Sequence, residues 1–372
     1  MQKKIKAIFK SQPVMCTAFL LAAATMFIVP PDKQYTGYIN RAVLIQLFSL
    51  MLAVSGLRSA GIFEKMTAFL MKKAGNCRRL SLMFVLLCFF TSMLVTNDVA
   101  LLTFVPLSLI ALSKMQTDKA TILTVVLETV AANTGSMLTP IGNPQNLFLY
   151  DEFNLTAAEF LKTLLPSGSV SLAILILLTF LIPKESFSAD ETKTAQINKL
   201  LAVCYSALFA VCILSVVRVV PDIALLAVSL ATALIVGRKI LLKVDYSLLF
   251  TFVCFFVFVG NVSRIDAVRD AVNGLLQGRE VIASALLSQV ISNVPASVML
   301  AGFTENGRAL LLGVNLGGLG TIIASLASLI SFQFYRKQDN AKSGKYMLCF
   351  SAINFSMLAL LLILEQCLNM TA

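Results

Sequence analysis

Twice along this chain, in the same order, short polar segments that cannot remain helical cut through long apolar runs. Thr96-Asn97-Asp98 separates an apolar stretch at 80–95 from another at 99–113. Further on, Asn133-Thr134-Gly135-Ser136-Met137-Leu138-Thr139-Pro140-Ile141-Gly142-Asn143-Pro144-Gln145-Asn146 sets prolines, glycines and asparagines inside an apolar context, which breaks a helix. The whole chain is 58% hydrophobic and 13% charged, against roughly 25% charged for a soluble chain. It lacks the polar surface to face water and reads as a polytopic membrane protein. Non-helical backbone is tolerated in a bilayer only where it is buried in protein or lines a cavity. The interruptions must therefore gather in the interior.

Composition removes several functions. The chain has no histidine, which excludes His-x-x-x-His zinc hydrolases, Ser-His triads and histidine proton relays. Tryptophan is absent too, so interfacial anchoring falls to Tyr and Phe. The net charge of +11 lies in short clusters between apolar runs, a code for orientation and not for nucleic acid. Cysteines number 8, form no Cys-x-x-Cys, and mostly sit in apolar runs as small hydrophobes. No Walker motif occurs, so the chain itself does not use ATP.

Charge and hydropathy give an all-α fold with about 10 or 11 membrane segments. Residues 1–37 hold an N-terminal membrane helix whose basic head is cytoplasmic. A first repeat is expected at 38–182, with a re-entrant hairpin at 80–113 and a broken helix at 120–150. A cytoplasmic linker at 183–199 and connecting helices at 200–246 follow. The second repeat spans 247–345, with a hairpin at 281–304 and a broken helix at 309–335, before a C-terminal helix at 346–372. Each hairpin piece is short for a span of about 20 residues. The first hairpin lies between Arg78, Arg79 and Lys114, Lys119, so it enters and leaves on the cytoplasmic side. The same rule leaves the C-terminus outside, in what is expected to be the plasma membrane, a bacterial inner membrane.

The two halves echo one another residue by residue. Ser292-Asn293-Val294-Pro295-Ala296 matches Thr96-Asn97-Asp98-Val99-Ala100. The stretch from Asn315 to Ser325 keeps Asn133/Asn315, Gly135/Gly317, Thr139/Thr321 and Ile141/Ile323, and sets Ala324 against Gly142 and Ser325 against Asn143. Val54-Ser55-Gly56 is echoed by Phe258-Val259-Gly260. The distance from tip to broken helix is shorter in the second copy. Its hairpin is flanked by Arg279, Glu280, Glu305 and Arg308, without a basic cluster, and so opens outward. Inverted repeats that each hold a broken helix point to a secondary transporter with a site at the membrane midplane.

Helix ends carry unpaired N–H groups at one terminus and unpaired C=O groups at the other. Facing tips and unwound loops offer the carbonyls to a small hard cation and the amides to an anion. The candidate cation- and substrate-binding residues are Thr96, Asn97, Asp98, Asn133, Thr139, Gly142, Asn143 and Asn146 in the first half. Their counterparts are Ser292, Asn293, Asn315, Gly317, Thr321 and Ser325 in the second. A charged Asp at a membrane helix centre costs roughly 2.5–3.5 kcal/mol. Asp98 therefore needs a cation, a proton or hydrogen-bonded tip amides. Glu128 is the second deep acid, either a proton carrier or a protonated packing residue. Hydrolysis would need a nucleophile with a base, or paired aspartates, and neither is present, so an intramembrane enzyme is disfavoured.

Taken together, Thr96-Asn97-Asp98, Thr139-Pro140-Ile141-Gly142-Asn143-Pro144-Gln145-Asn146 and Ser292-Asn293-Val294-Pro295 resemble the ion transporter superfamily. That group includes citrate-transporter-like permeases, divalent-anion/sodium symporters, arsenite permeases and some sodium/proton antiporters; the YbiR-like inner-membrane branch is most similar. The resemblance implies cation-coupled transport of a small anion, an organic acid or inorganic oxyanion, with sodium/proton exchange and arsenite-type permeation as alternatives. It implies no cofactor beyond a sodium ion near Asn97, Gly142 and Asn293, and it leaves a homodimer open. Relatives that carry dicarboxylates use paired Ser-Asn-Thr tips. Here Thr96-Asn97 and Ser292-Asn293 match the Ser-Asn part, while Asp98 and Val294 replace the Thr. The substrate is thus not specified as a dicarboxylate.

Overall fold

The computed structural model describes residues 13–112, 118–185, 196–338 and 341–371. The basic head, residues 113–117, most of the linker expected at 183–199, residues 339–340 and Ala372 lie outside the described residues. Within them every regular element is helical. Helices α1 (Pro13–Ile28), α2 (Tyr35–Tyr38) and α3 (Arg41–Ser59) lead to amphipathic α4 (Ile62–Ala74). Helices α5 (Cys77–Val95) and α6 (Asn97–Leu112) make a first hairpin; α7 (Asp118–Ser136) and α8 (Pro144–Glu152) are the halves of a broken helix. Then come α9 (Ala157–Thr179), α10 (Lys199–Val216), α11 (Asp222–Val236) and a 3-10 turn at Arg238–Lys243. The pattern returns with α12 (Tyr246–Val262), amphipathic α13 (Asp266–Leu276) and a second hairpin, α14 (Glu280–Ile291) and α15 (Asn293–Ala301). A second broken helix, α16 (Gly307–Leu316) and α17 (Leu326–Arg336), precedes α18 (Ser343–Thr371).

Among the described residues five helices are long and apolar enough to cross a membrane alone: α3, α5, α9, α10 and α18. The chain is an all-α polytopic membrane protein. Helix α9 relates the two hairpins. Its 23 residues rise about 35 Å at 1.5 Å each. Near its start, Glu159 pairs with Arg308 at the mouth of the second hairpin. Just beyond its end, Ile182 O accepts from Arg78 Nε at 2.7 Å and Glu185 O from Cys77 N at 2.8 Å, at the mouth of the first. The two hairpins thus open at opposite ends of one membrane-length helix.

The basic loops gather at the Arg78 end. Asn198 N donates to Ala60 O at 3.0 Å, Lys243 Nζ to Ser59 Oγ at 2.7 Å, and Lys342 pairs with Asp118. The hydrogen bond to Asp118 pushes the Lys342 ammonium above its ordinary value. A raised value means its contribution is complete below the ordinary lysine range and fades only as pH climbs through the raised one. The ammonium therefore stays charged through neutral pH.

Packing is reciprocal. Helix α5 lies along α7 and α14 along α16, while α17 rests on α6 and α15 on α8. Each hairpin's returning arm is thus covered by the other half of the chain. Close approach depends on small residues, as expected where lipid gives no hydrophobic drive between helices. A Cβ on Gly135 would strike Phe89 O, and one on Gly317 would strike Ala285 and Ser288. Around this core, α1 packs on α12 and α3 on α10. There Gly56 receives the ring of Tyr205 and Gly260 the ring of Tyr38.

Two boundaries differ from the sequence reading. Helix α7 continues past Asn133 to Ser136, because Thr134 and Ser136 turn their hydroxyls onto Val130 O (2.8 Å) and Asn133 O (3.0 Å) within the helix. Helix α5 has 19 residues, since Asn76 caps it by accepting from Arg79 N at 3.0 Å, ahead of the apolar run. The second copy is shorter between its tip and its break: α15 has 9 residues against 16 for α6, and α16 has 10 against 19 for α7. That accounts for the closer spacing seen in the sequence.

Candidate functional site

Each hairpin turns on one residue. Thr96 (φ 74°, ψ 149°) and Ser292 (φ 77°, ψ 153°) adopt nearly the same left-handed backbone, although neither is glycine. Such a conformation costs of order 1–3 kcal/mol and persists only when surrounding contacts impose it. Those contacts match in the two halves. Asn97 N donates to Gly142 O at 3.0 Å and Asn293 N to Ala324 O at 2.9 Å. Thr139 Oγ1 donates to Met93 O, and Thr321 Oγ1 to Gln289 O at 2.9 Å. Both acceptors lie three residues before the tip. Asn143 and Ser325 sit in extended backbone at the start of α8 and α17.

The halves then join through asparagines. Asn133 Oδ1 accepts from Asn97 Nδ2 at 3.1 Å in its own half and from Ser325 Oγ at 2.9 Å in the other. Asn315 Oδ1 accepts from Asn143 Nδ2 at 3.3 Å across the same interface. Asn315 Nδ2 reaches Asn146 Oδ1 at 2.7 Å, and Asn133 Nδ2 reaches Ser328 Oγ at 3.5 Å. In the matching of the repeats Asn133 pairs with Asn315, Asn143 with Ser325 and Asn146 with Ser328, so both contacts between the halves recur with their partners exchanged. Asn293 enters through Gly318, whose carbonyl accepts from Asn133 Nδ2 at 3.5 Å and whose Cα borders the Asn293 amide.

Most of the sequence-derived residues meet in this cluster. Asn97, Asn133, Gly142, Asn143, Asn146, Ser292, Asn293, Asn315, Gly317 and Ser325 are buried. Thr96, Asp98, Thr139 and Thr321 are half-buried at its edge. Asn97 Oδ1 takes the backbone N–H of Asp98 at 2.9 Å, but no described side chain donates to the Asp98 carboxylate, and the charge of Asp245 acts on it. Glu128 stands apart. It is fully buried between α5, α6 and α7, with Oε2 2.7 Å from Ser108 Oγ and Oε1 3.9 Å from Cys88 Sγ.

Sequence reasoning missed Gln289, Ser328 and Arg58. Gln289 has a detectable signal, being an amide inside an apolar run three residues before a tip. Arg58 has none: its NH2 donates to Leu102 O at 3.1 Å, a contact that only the fold creates. Among the described residues no three His, Cys, Asp or Glu side chains converge on a metal-sized point, and no disulfide forms. The oxygens at the cluster are amide, hydroxyl and main-chain carbonyl, a donor set for a hard monovalent cation and not for a soft metal.

A buried polar cluster of paired tips and unwound loops inside a helical membrane protein coincides with the comparison to known families. The model of the family described as "Citrate transporter" matches residues 7–306. The chain belongs to that family. The uncharacterized transporter MJ0456 of Methanocaldococcus jannaschii is 33% identical over 309 residues, covering 82% of this chain and 83% of its own length. The inner membrane protein YbiR of Escherichia coli is 29% identical over 320 residues, covering 84% and 85%. A putative transporter arsB of Dictyostelium discoideum is 26% identical over 181 residues, covering 46% and 31%. Membership makes the chain a multi-pass membrane transporter.

Proposed function

We propose that this transporter moves a small anion, an organic acid or an inorganic oxyanion, coupled to sodium or protons by alternating access. In this reading the halves at 38–182 and 247–345 are inverted repeats. The site lies between their tips: Thr96, Asn97, Asp98, Asn133, Thr139, Gly142, Asn143 and Asn146 face Ser292, Asn293, Asn315, Gly317, Thr321 and Ser325. The reciprocal Asn133–Ser325 and Asn315–Asn143 bonds carry the reading, because they bring both sets of helix ends to one point. Carbonyl ends near Asn97, Gly142 and Asn293 would hold a sodium ion, and exposed N–H groups the anion. The basic end is taken as cytoplasmic, in a bacterial inner membrane, with the C-terminus outside.

Sodium/proton exchange is the second reading, favoured by the Asp98 carboxylate, which lacks a hydrogen-bond donor and could cycle between proton and sodium. Uptake into proteoliposomes separates the two. Symport is expected to give anion flux under an imposed sodium or proton gradient, abolished by Asp98→Asn and Asn293→Ala. Proton movement on sodium addition with no anion present would favour exchange. Absence of flux under every imposed gradient would count against both.

A further inference from the structure

The two halves of the cluster are held together by different chemistry. In the second half, Gln289 Nε2 lies 3.0 Å from Ala285 O, 2.9 Å from Gly317 O and 3.0 Å from Leu319 O. Gln289 Oε1 accepts from Thr321 N at 2.8 Å, and this donor fixes which end of the carboxamide is nitrogen. An NH2 group has two protons, here set against three carbonyls. Gly317 and Leu319 follow the C-terminus of α16, where the helix dipole is negative. A partial positive charge ringed by main-chain oxygens is what a small cation would experience at the same point.

The first half has no such group on its hairpin. Met93 occupies the place of Gln289, and a thioether has no proton to donate. The loop carbonyls Ser136 O, Met137 O and Thr139 O accept instead from Asn146 Nδ2 at 3.2, 3.3 and 3.1 Å. Asn146 belongs to α8, so the loop is stapled to its own broken helix and not to its hairpin. A second difference accompanies the first. Gly320 has φ 103°, and a Cβ on it would fall on the Gln289 carboxamide; its counterpart is Leu138.

We propose that Gln289 is a positioning residue whose carboxamide stands in for a bound cation in the second half, holding the loop at 317–325 in shape with no ion present. Resting on the cation-coupled reading above, an ion held between hairpin and loop is then expected in the first half, where Met93 leaves that place without a donor.

The test is thermal unfolding of the purified full chain in choline chloride, titrated with sodium chloride. Wild type is expected to show a single-site sodium response; a two-site response overturns the assignment. Gln289→Glu puts a carboxylate oxygen where the NH2 faced carbonyls, so it is expected to melt several degrees lower in choline. Sodium should then recover that loss beyond the wild-type response, since the cage now has oxygens on every side. A sodium response of Gln289→Glu equal to wild type overturns the proposal. Should that variant not fold, hydrogen exchange at the wild-type Thr321 amide decides. Equal protection in choline and in sodium supports the surrogate role, and protection only in sodium refutes it. Neither readout measures flux, so failure here is distinct from failure of the transport reading.

Discussion

An asparagine in the middle of a membrane helix is tolerated only when its polar atoms find partners. Asn133 meets that requirement from both halves of the chain, through Asn97 and Ser325. Asn133→Ala should leave Ser325 and Asn97 without their acceptor and cost about 1–3 kcal/mol. The informative measurement is a double-mutant cycle with Ser325→Ala by thermal unfolding. Direct contact predicts that the two losses fall short of adding by about 0.5 kcal/mol or more, whereas additive losses would mean the halves are not joined there. Glu128 poses the opposite question. Ser108 Oγ lies 2.7 Å from Glu128 Oε2 and 3.0 Å from Val105 O, yet a hydroxyl has one proton. With that proton on Val105, residue 128 must supply the other, which glutamine does as well as a neutral acid. Glu128→Gln is therefore expected to keep both fold and transport, while Glu128→Ala loses about 2–4 kcal/mol. Loss of proton coupling in Glu128→Gln with the fold intact would restore the proton-carrier role.

At the scale of elements, the apolar runs, the tip motifs and the break in each long helix could be read directly, because Asn, Gly and Pro in an apolar setting have few structural options. Helix ends could not be. Whether Asn133 or Met137 ends α7 depends on hydroxyls folding back onto the helix and on partners 192 residues away, as with Ser325. The contact between Arg58 and the first hairpin was equally hidden. Pro106 lies inside α6 and has no N–H, so Leu102 O loses its helical partner. Arg58, at the end of α3, donates to that carbonyl at 3.1 Å. The proline thus makes a socket on the hairpin for a cation on its neighbour. Pro106→Ala restores the helical N–H and should make the Arg58 contact redundant. Arg58→Ala is expected to lower stability by about 1 kcal/mol in wild type and by much less in the Pro106→Ala background, measured by denaturation of both pairs. Equal effects in the two backgrounds would mean Arg58 acts elsewhere.

For the molecule as a whole, the two ends are closed unequally. At the end where α8 meets α9, Asn40 Nδ2 holds Asp151 Oδ2 at 2.8 Å, Arg218 donates to Tyr150 O at 3.2 Å, and Arg308 pairs with Glu159. Recesses of about 560 and 640 Å³ there are lined by residues such as Gln277, Glu280 and Asn306, or Asn154, Glu159 and Arg308. None of these belongs to the asparagine cluster, so the recesses stop short of it. The tips keep some exposure of their own. Thr96, Asp98 and Thr139 are half-buried, and exposed Arg58 binds Leu102, one helical turn from Asp98. Asp245, whose charge acts on Asp98, precedes α12 at that same end. With the other end closed by these contacts, access to the half-buried tips is expected from the basic end. Labelling with a membrane-impermeant thiol reagent tests this. In a background with exposed Cys367 and half-buried Cys204 and Cys349 replaced, Thr139→Cys should react in inside-out vesicles and resist in right-side-out ones. Asn143→Cys, 2% exposed in wild type, should stay unlabelled from either side. A transported ion or anion that closes the crevice should slow labelling of Thr139→Cys. Reaction from the outer face alone would reverse either the orientation or the conformation, and labelling of Asn143→Cys would show that the asparagine cluster separates during the cycle.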